Sequence, residues 1–343
     1  MAAIMTTCIV VVFLAALFSD DAPSLGEHTA VRVPKQSDWV DHGTILKAGP
    51  SGSWDARLSG AISPSTVVKK DGMYFLYYIG ADGDRGSPHD DGGPRHRALG
   101  VATSTDGIHF TKHSGNPIIT HLPNHNEEEG VFSAGAALDG KGSIVLYYGA
   151  MDAGRQSSTL VDGDVRLAVS GNGLNFMDHG DVISHADRSI WGYGDELFPV
   201  GTFTANNMWY VYYIAKGKGT HWELGVAWGA GPEKLSRSRA ALTRCTYIVI
   251  CDSYIVGGGD PVWLGSDKLA IVIVRDFRKG LVEVRTASSS SPDKLSEPVE
   301  KYDFGGFIHL TIFQDRQTKT WFMYYWDSRG DGGIGVKTAP IRG

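Results

Sequence analysis

The chain of 343 residues carries 32 Lys and Arg against 38 Asp and Glu, a net charge of −6, with 42% hydrophobic residues and 44 glycines. That apolar share is ordinary for a globular fold and excludes wholesale disorder or a collagen-like repeat. The acidic balance argues against nucleic acid held on a basic face, and no run reaches the ~18–20 apolar residues needed to cross a bilayer.

At the N-terminus, residues 8–18 (CIVVVFLAALF) form an apolar run of signal-peptide length, broken at once by Asp20, Asp21 and Pro23. The expectation is a cleaved leader over 1–22, a linker over 23–37 and one domain over 38–343, secreted or periplasmic and free of the membrane once the leader is gone. A buried helix or strand is the alternative reading of that run. With Cys8 removed, Cys245 and Cys251 remain; so close in sequence, they could close a small disulfide loop or stay as two buried thiols. No CxxC spacing suggests a zinc site.

A repeat organises everything that follows. Five aromatic or aliphatic runs recur, GMYFLYYIG, GSIVLYYGA, NMWYVYYIA, KLAIVIVRD and KTWFMYYWD, with Tyr77, Tyr147, Tyr212, Ile273 and Tyr324 in equivalent places. Their Tyr, Val, Ile and Phe content suits strands. A β-rich run precedes each, a second follows (RALGVATS, VRLAVSG, HWELGVAWG, LVEVRTASS, GIGVKTA), and Asp-Gly or Asn-Gly turns lead to an outer strand. The last unit ends one strand short, while residues 38–46 (DWVDHGTIL) match the outer-strand text NFMDHGDVI. The N-terminal strand can therefore complete the last unit. Four-stranded antiparallel units repeated five times predict an all-β, five-bladed β-propeller, its ring closed by the N-terminal strand and its sheet edges thereby protected.

In such a ring the inner strand of each blade faces the axis. The loop leading into it and the loop joining the second and third strands open on one face, where a common pocket is expected. The leading loops carry Trp54, Asp55 and Arg57 in the first unit, Glu127, Glu128 and Glu129 in the second, and Asp195 and Glu196 in the third. The fourth carries Asp260 and the fifth His309. Second-to-third-strand loops add Arg95 and His96 in the first unit, and Arg275 and Arg278 in the fourth. Carboxylates converging on one axis raise some of each other's pKa values and let one act as an acid. With Arg, His and aromatic rings such as Trp54, Trp191, Tyr193 and Trp263 around them, they suit a carbohydrate. Glycosidases pair an acid for the leaving oxygen with a carboxylate that activates water or attacks the sugar.

The phrases SPSTVVKKDGMYFLYYIG and LGVATSTDGIHFTKH resemble the five-bladed glycoside hydrolases of families 43, 32 and 62, over about residues 38–340. The resemblance to family 43 implies inversion, with Asp55 as general base, Glu129 tuning pKa and orienting substrate, and Glu196 as general acid. Trp54, Arg57, Arg95, His96, Asp195, Asp260, Arg275 and His309 would line the sugar site. No cofactor is required, though the resemblance allows a structural calcium ion near His309. Two rivals share the fold: a carbohydrate-binding propeller without turnover, and a phosphorylase related to family 130, for which Arg57, Arg95, His96, Arg275 and Arg278 would hold phosphate.

Overall fold

The computed structural model describes residues 30–50, 52–56, 62–81, 96–120, 129–152, 162–191, 197–216, 222–242, 257–258, 260–276, 279–306, 308–327 and 332–343. The expected leader, Arg57, Arg95, Asp195, Glu196 and the pair Cys245 and Cys251 lie outside them. Within the expected linker, residues from 30 onward are docked on the last two sheets. Val31 N–H donates to the Leu264 carbonyl (2.8 Å), and Tyr302 OH donates to the Pro34 carbonyl (2.7 Å).

After a short 3-10 turn (Gln36–Asp38), every further regular element among the described residues is a strand. Strand β1 spans Val40–Leu46. The first unit contains β2 (Ile62–Lys70), β3 (Met73–Ala81), β4 (His96–Ser104), β5 (Thr111–Lys112) and β6 (Ile119–Thr120). The second contains β7 (Glu129–Leu138), β8 (Ile144–Asp152), β9 (Asp162–Ser170) and β10 (Met177–Ile183). The third contains β11 (Leu197–Ala205), β12 (Met208–Lys216), β13 (Trp222–Gly229) and β14 (Arg237–Leu242). The fourth contains β15 (Gly257–Gly258), β16 (Val262–Trp263), β17 (Lys268–Asp276), β18 (Leu281–Ser288) and β19 (Glu300–Asp303). The fifth contains β20 (Ile308–Asp315), β21 (Thr320–Asp327) and β22 (Ile334–Pro340).

Within each unit successive strands pair antiparallel, and β1 joins β22 as the fourth strand of the last sheet, Val40 facing Thr338. The matched text DHG in β1 and β10 reflects matched chemistry. Asp41 accepts from Gly43 N–H (2.9 Å), from Tyr325 OH (2.7 Å) and from Lys337. Asp178 accepts from Gly180 N–H (3.0 Å), Tyr148 OH (3.2 Å) and Arg166 (2.7 Å). The same tyrosine, cation and glycine turn thus clip an outer strand to its sheet in both places.

Two elements are more broken than their sequences predict, each because of proline, which lacks an N–H for the ladder. The outer strand of the first unit splits into β5 and β6 around Asn116-Pro117. There the Asn116 side chain replaces the missing strand, accepting from Val101 N–H and donating to its carbonyl, both at 2.9 Å. The inner strand of the fourth unit splits into β15 and β16 around Asp260-Pro261.

Five apolar clusters lie at the seams between consecutive units, including one joining the fifth unit to the first through Leu76, Tyr78, Phe322, Tyr324 and Val336. The repeated tyrosines are fully buried there and also latch the seams. Tyr77 OH donates to the Gly173 carbonyl of the second unit (3.0 Å), Tyr147 to Pro232 of the third (3.0 Å) and Tyr212 to Pro292 of the fourth (2.6 Å). Tyr324 of the fifth reaches Gly107 of the first (2.9 Å). Ile273 holds the equivalent place in the fourth unit and has no hydroxyl to donate. Each bond contributes ~1 kcal/mol, beyond the larger gain of burying the ring itself.

Candidate functional site

The inner strands converge where their residues are smallest. A Cβ on Gly135 would stand 3.0 Å from the Gly201 Cα, so β7 and β11 approach backbone to backbone. Asp260 is buried at this crossing. It accepts from the Thr66 hydroxyl and from Thr202 N–H (3.0 Å), with the backbones of Ala136 and Val67 also bonding to it. One carboxylate therefore ties together inner strands of the first four units. Burial pushes its pKa up to about 7, against the pull of those four donors. Thr311, in the fifth unit, is buried with its hydroxyl lacking a hydrogen-bond partner among the described residues. Asp260 is thus a buried tie between the inner strands.

The strand ends bordering the expected site loops bring other groups together. Arg97, the second residue of β4, lays its guanidinium over the Phe132 ring at 4.0 Å. Phe132 lies 5.5 Å from Phe198 of β11, and both rings are half-buried. His309, second in β20, faces Trp326 across the ladder with ring centroids 5.6 Å apart. Burial and then the charge of Arg97 push the His309 pKa down to about 4. The imidazole is consequently neutral near pH 7, able to donate at one nitrogen and accept at the other. The buried Trp326 Nε1–H has no partner among the described residues. This mouth combines two phenyl rings, a guanidinium, a neutral imidazole and a free indole N–H. Titration of the His309 ring protons by NMR should give a midpoint near 4; a midpoint above 6 would show a wetter, less charged setting.

Of the residues expected at the site, His309 stands at this mouth. Glu129 begins β7 and His96 begins β4, their backbones paired with each other; only these backbones are described. Asp55 is elsewhere. It is buried and ion-paired to Lys112 of β5 (2.5 Å), and accepts from Ser53 OH (3.1 Å) and Tyr78 OH (3.3 Å). Lys112 belongs to the outer strand, so Asp55 sits away from the axis, in a place that holds the first unit together. Trp54 is likewise packing: its indole covers Gly80 and Gly100, where a Cβ would come within 2.5 and 2.6 Å of it, and lies 5.6 Å from Tyr78. Trp191 repeats the arrangement over Gly225 beside Tyr213. Arg275 is buried in the fourth unit, bound to Glu283 (3.1 Å), which also holds Arg285 (2.9 Å). Sequence reasoning missed Arg97, Phe132, Phe198 and Trp326. The available signal was their position near the ends of repeat strands; each reads there as ordinary strand text.

Calcium requires several oxygen ligands. The groups described around His309 are an indole and a guanidinium, and no cluster of three or more His, Cys, Asp or Glu among the described residues could hold a metal. They do not fit a directly coordinated calcium ion.

No family pattern and no curated protein sequence matches the chain. Solved structures do match, at the level of fold. A candidate glycosidase from Bacteroides thetaiotaomicron VPI-5482 superimposes with a TM-score of 0.63 at 15% identity, covering 89% of this chain and 97% of that one. A β-1,2-mannobiose phosphorylase from Listeria innocua gives 0.57 at 12%, covering 90% and 92%. A thermostable family-43 glycoside hydrolase gives 0.57 at 14%, covering 86% and 96%. The chain shares the β-propeller-like fold of these proteins, as the repeat text implies.

Proposed function

We propose that the protein is a secreted glycoside hydrolase that cleaves O-glycosidic bonds of a polysaccharide or oligosaccharide with inversion. We read its architecture as a five-bladed β-propeller. The nine-stranded sheet then counts as two blades, divided at the short parallel bridge between β4 and β7, and the other three sheets complete the ring. The observation that carries the functional reading is the mouth formed by Arg97, Phe132, Phe198, His309 and Trp326. Both remaining acid candidates attach at this end: Glu129 is the first residue of β7, and Glu196 directly precedes β11. Glu196 would protonate the leaving oxygen while Glu129 activates water, an inverting pair that needs its carboxyls ~6.5–9.5 Å apart. Neutral His309 and the Trp326 N–H would hold sugar hydroxyls, and the phenyl rings would cover an apolar sugar face.

The test is a screen of the purified full chain against aryl glycosides and polysaccharides, with and without added phosphate. Release of reducing ends without phosphate is expected, and Glu196→Gln should lower kcat about 10²–10⁴-fold at unchanged thermal stability. Glycan binding by calorimetry without any bond cleavage would overturn the hydrolase in favour of a binding propeller. The presence of Arg97 at the mouth favours one second reading, a phosphorylase in which a cation helps hold phosphate. Cleavage strictly dependent on added phosphate would select it.

A further inference from the structure

At the loop-bearing end, one seam differs from the rest. Among the described residues only the first and second units share a ladder. There the first residues of β4 and β7 pair in parallel, His96 with Glu129 and Arg97 with Gly130. Gly130 has φ +128°, a region that residues with side chains rarely adopt. A Cβ at this position would stand 1.9 Å from the Arg97 carbonyl oxygen and 2.8 Å from its carbonyl carbon and amide nitrogen. All three are backbone atoms that cannot swing aside, so any side chain at 130 must push the start of β7 off β4.

The movement would stay local. Gly130 and Val131 pair with Met151 and Ala150, the ladder then shifts register, and it resumes at Ala134 opposite Tyr148. The irregularity separates the first three residues of β7 from the part that packs at the axis. Those three carry Glu129 and lead into Phe132, on which Arg97 stacks.

We propose that Gly130 is a positioning residue: its missing side chain clamps the start of β7 onto β4 and thereby sets the Glu129 backbone opposite His96, next to Arg97 and the His309 mouth. This inference rests on the hydrolase reading of that mouth. The clamp joins the ends of two expected site loops, one running toward Arg95 and His96 and the other toward Glu127 and Glu128. A displacement of ~1 Å in a reacting group is enough to cost ~10²-fold in rate.

With a substrate found by the screen, Gly130→Ala should lower kcat ~10²-fold, change KM less than about threefold and shift one limb of the pH–rate profile. Gly135→Ala, which crowds the same strand against Gly201, should lower the unfolding midpoint while leaving the pH profile in place. A Gly130→Ala enzyme with wild-type kcat and pH profile would overturn the proposal. Native-state hydrogen exchange of the wild type tests it without a variant. Amides of 96–98 and 129–131 should open together, with one free energy and one denaturant dependence; independent opening would also overturn it. Exchange needs no substrate, so a failed screen defeats the hydrolase while leaving the coupled opening to stand or fall separately.

Discussion

Replacing Asp260 by alanine is expected to destabilise the protein by roughly 3–5 kcal/mol, the largest effect of any single polar substitution at the axis. The carboxylate receives Thr66 OH and Thr202 N–H inside a buried crossing, and bonds from the Ala136 and Val67 backbones. Its removal orphans donors from three units at once. Asp260→Asn keeps the volume but turns an NH2 group toward those donors, so it should also destabilise. The pH dependence is distinctive. The native pKa is raised to about 7, whereas the unfolded chain titrates near ~3.9. The native state therefore holds the proton more tightly, and this contribution to stability is complete below ~4 and lost as pH rises through about 7. Chemical denaturation of wild type and Asp260→Asn across that window should show a downward slope in the wild type that the variant lacks. Equal slopes would show that the carboxylate is ionised in the fold throughout.

The second large effect separates structure from chemistry at Asp55. Asp55→Ala is expected to cost roughly 2–3 kcal/mol, because Lys112 and Tyr78 lose their shared acceptor beside the Trp54 indole. Protein that remains folded should keep its kcat/KM on whatever substrate the screen finds. A drop of 10²-fold or more in kcat at unchanged stability would return Asp55 to the role of base and refute the structural assignment.

The contrast between Asp55 and the repeated tyrosines shows what kind of information a single chain carries. Tyr77, Tyr147, Tyr212 and Tyr324 were legible as blade core because period and composition repeat. A residue buried at one seam must be buried at each equivalent seam, and the tyrosine hydroxyls find neighbouring carbonyls in four of them. The place of β1 was legible for the same reason: its DHG text copies that of β10, down to the aspartate that accepts a glycine N–H, a tyrosine and a cation. Asp55 and Trp54 have no such guide. They lie in a connecting segment, where an acid before a strand reads equally as a catalyst or as the partner of a distant lysine, and Lys112 lies 57 positions away.

Taken alone, the order of residues determined the all-β class, the four-strand unit and the N-terminal strand that completes the last sheet. These follow from local periodicity, which constrains backbone pairing directly. Tertiary structure decided which charges face one another. It set Asp260 across four inner strands, paired Asp55 with Lys112, and gathered Arg97, Phe132, Phe198, His309 and Trp326 at one mouth. Such contacts join residues from separate units, and only the way the seams pack brings them within reach.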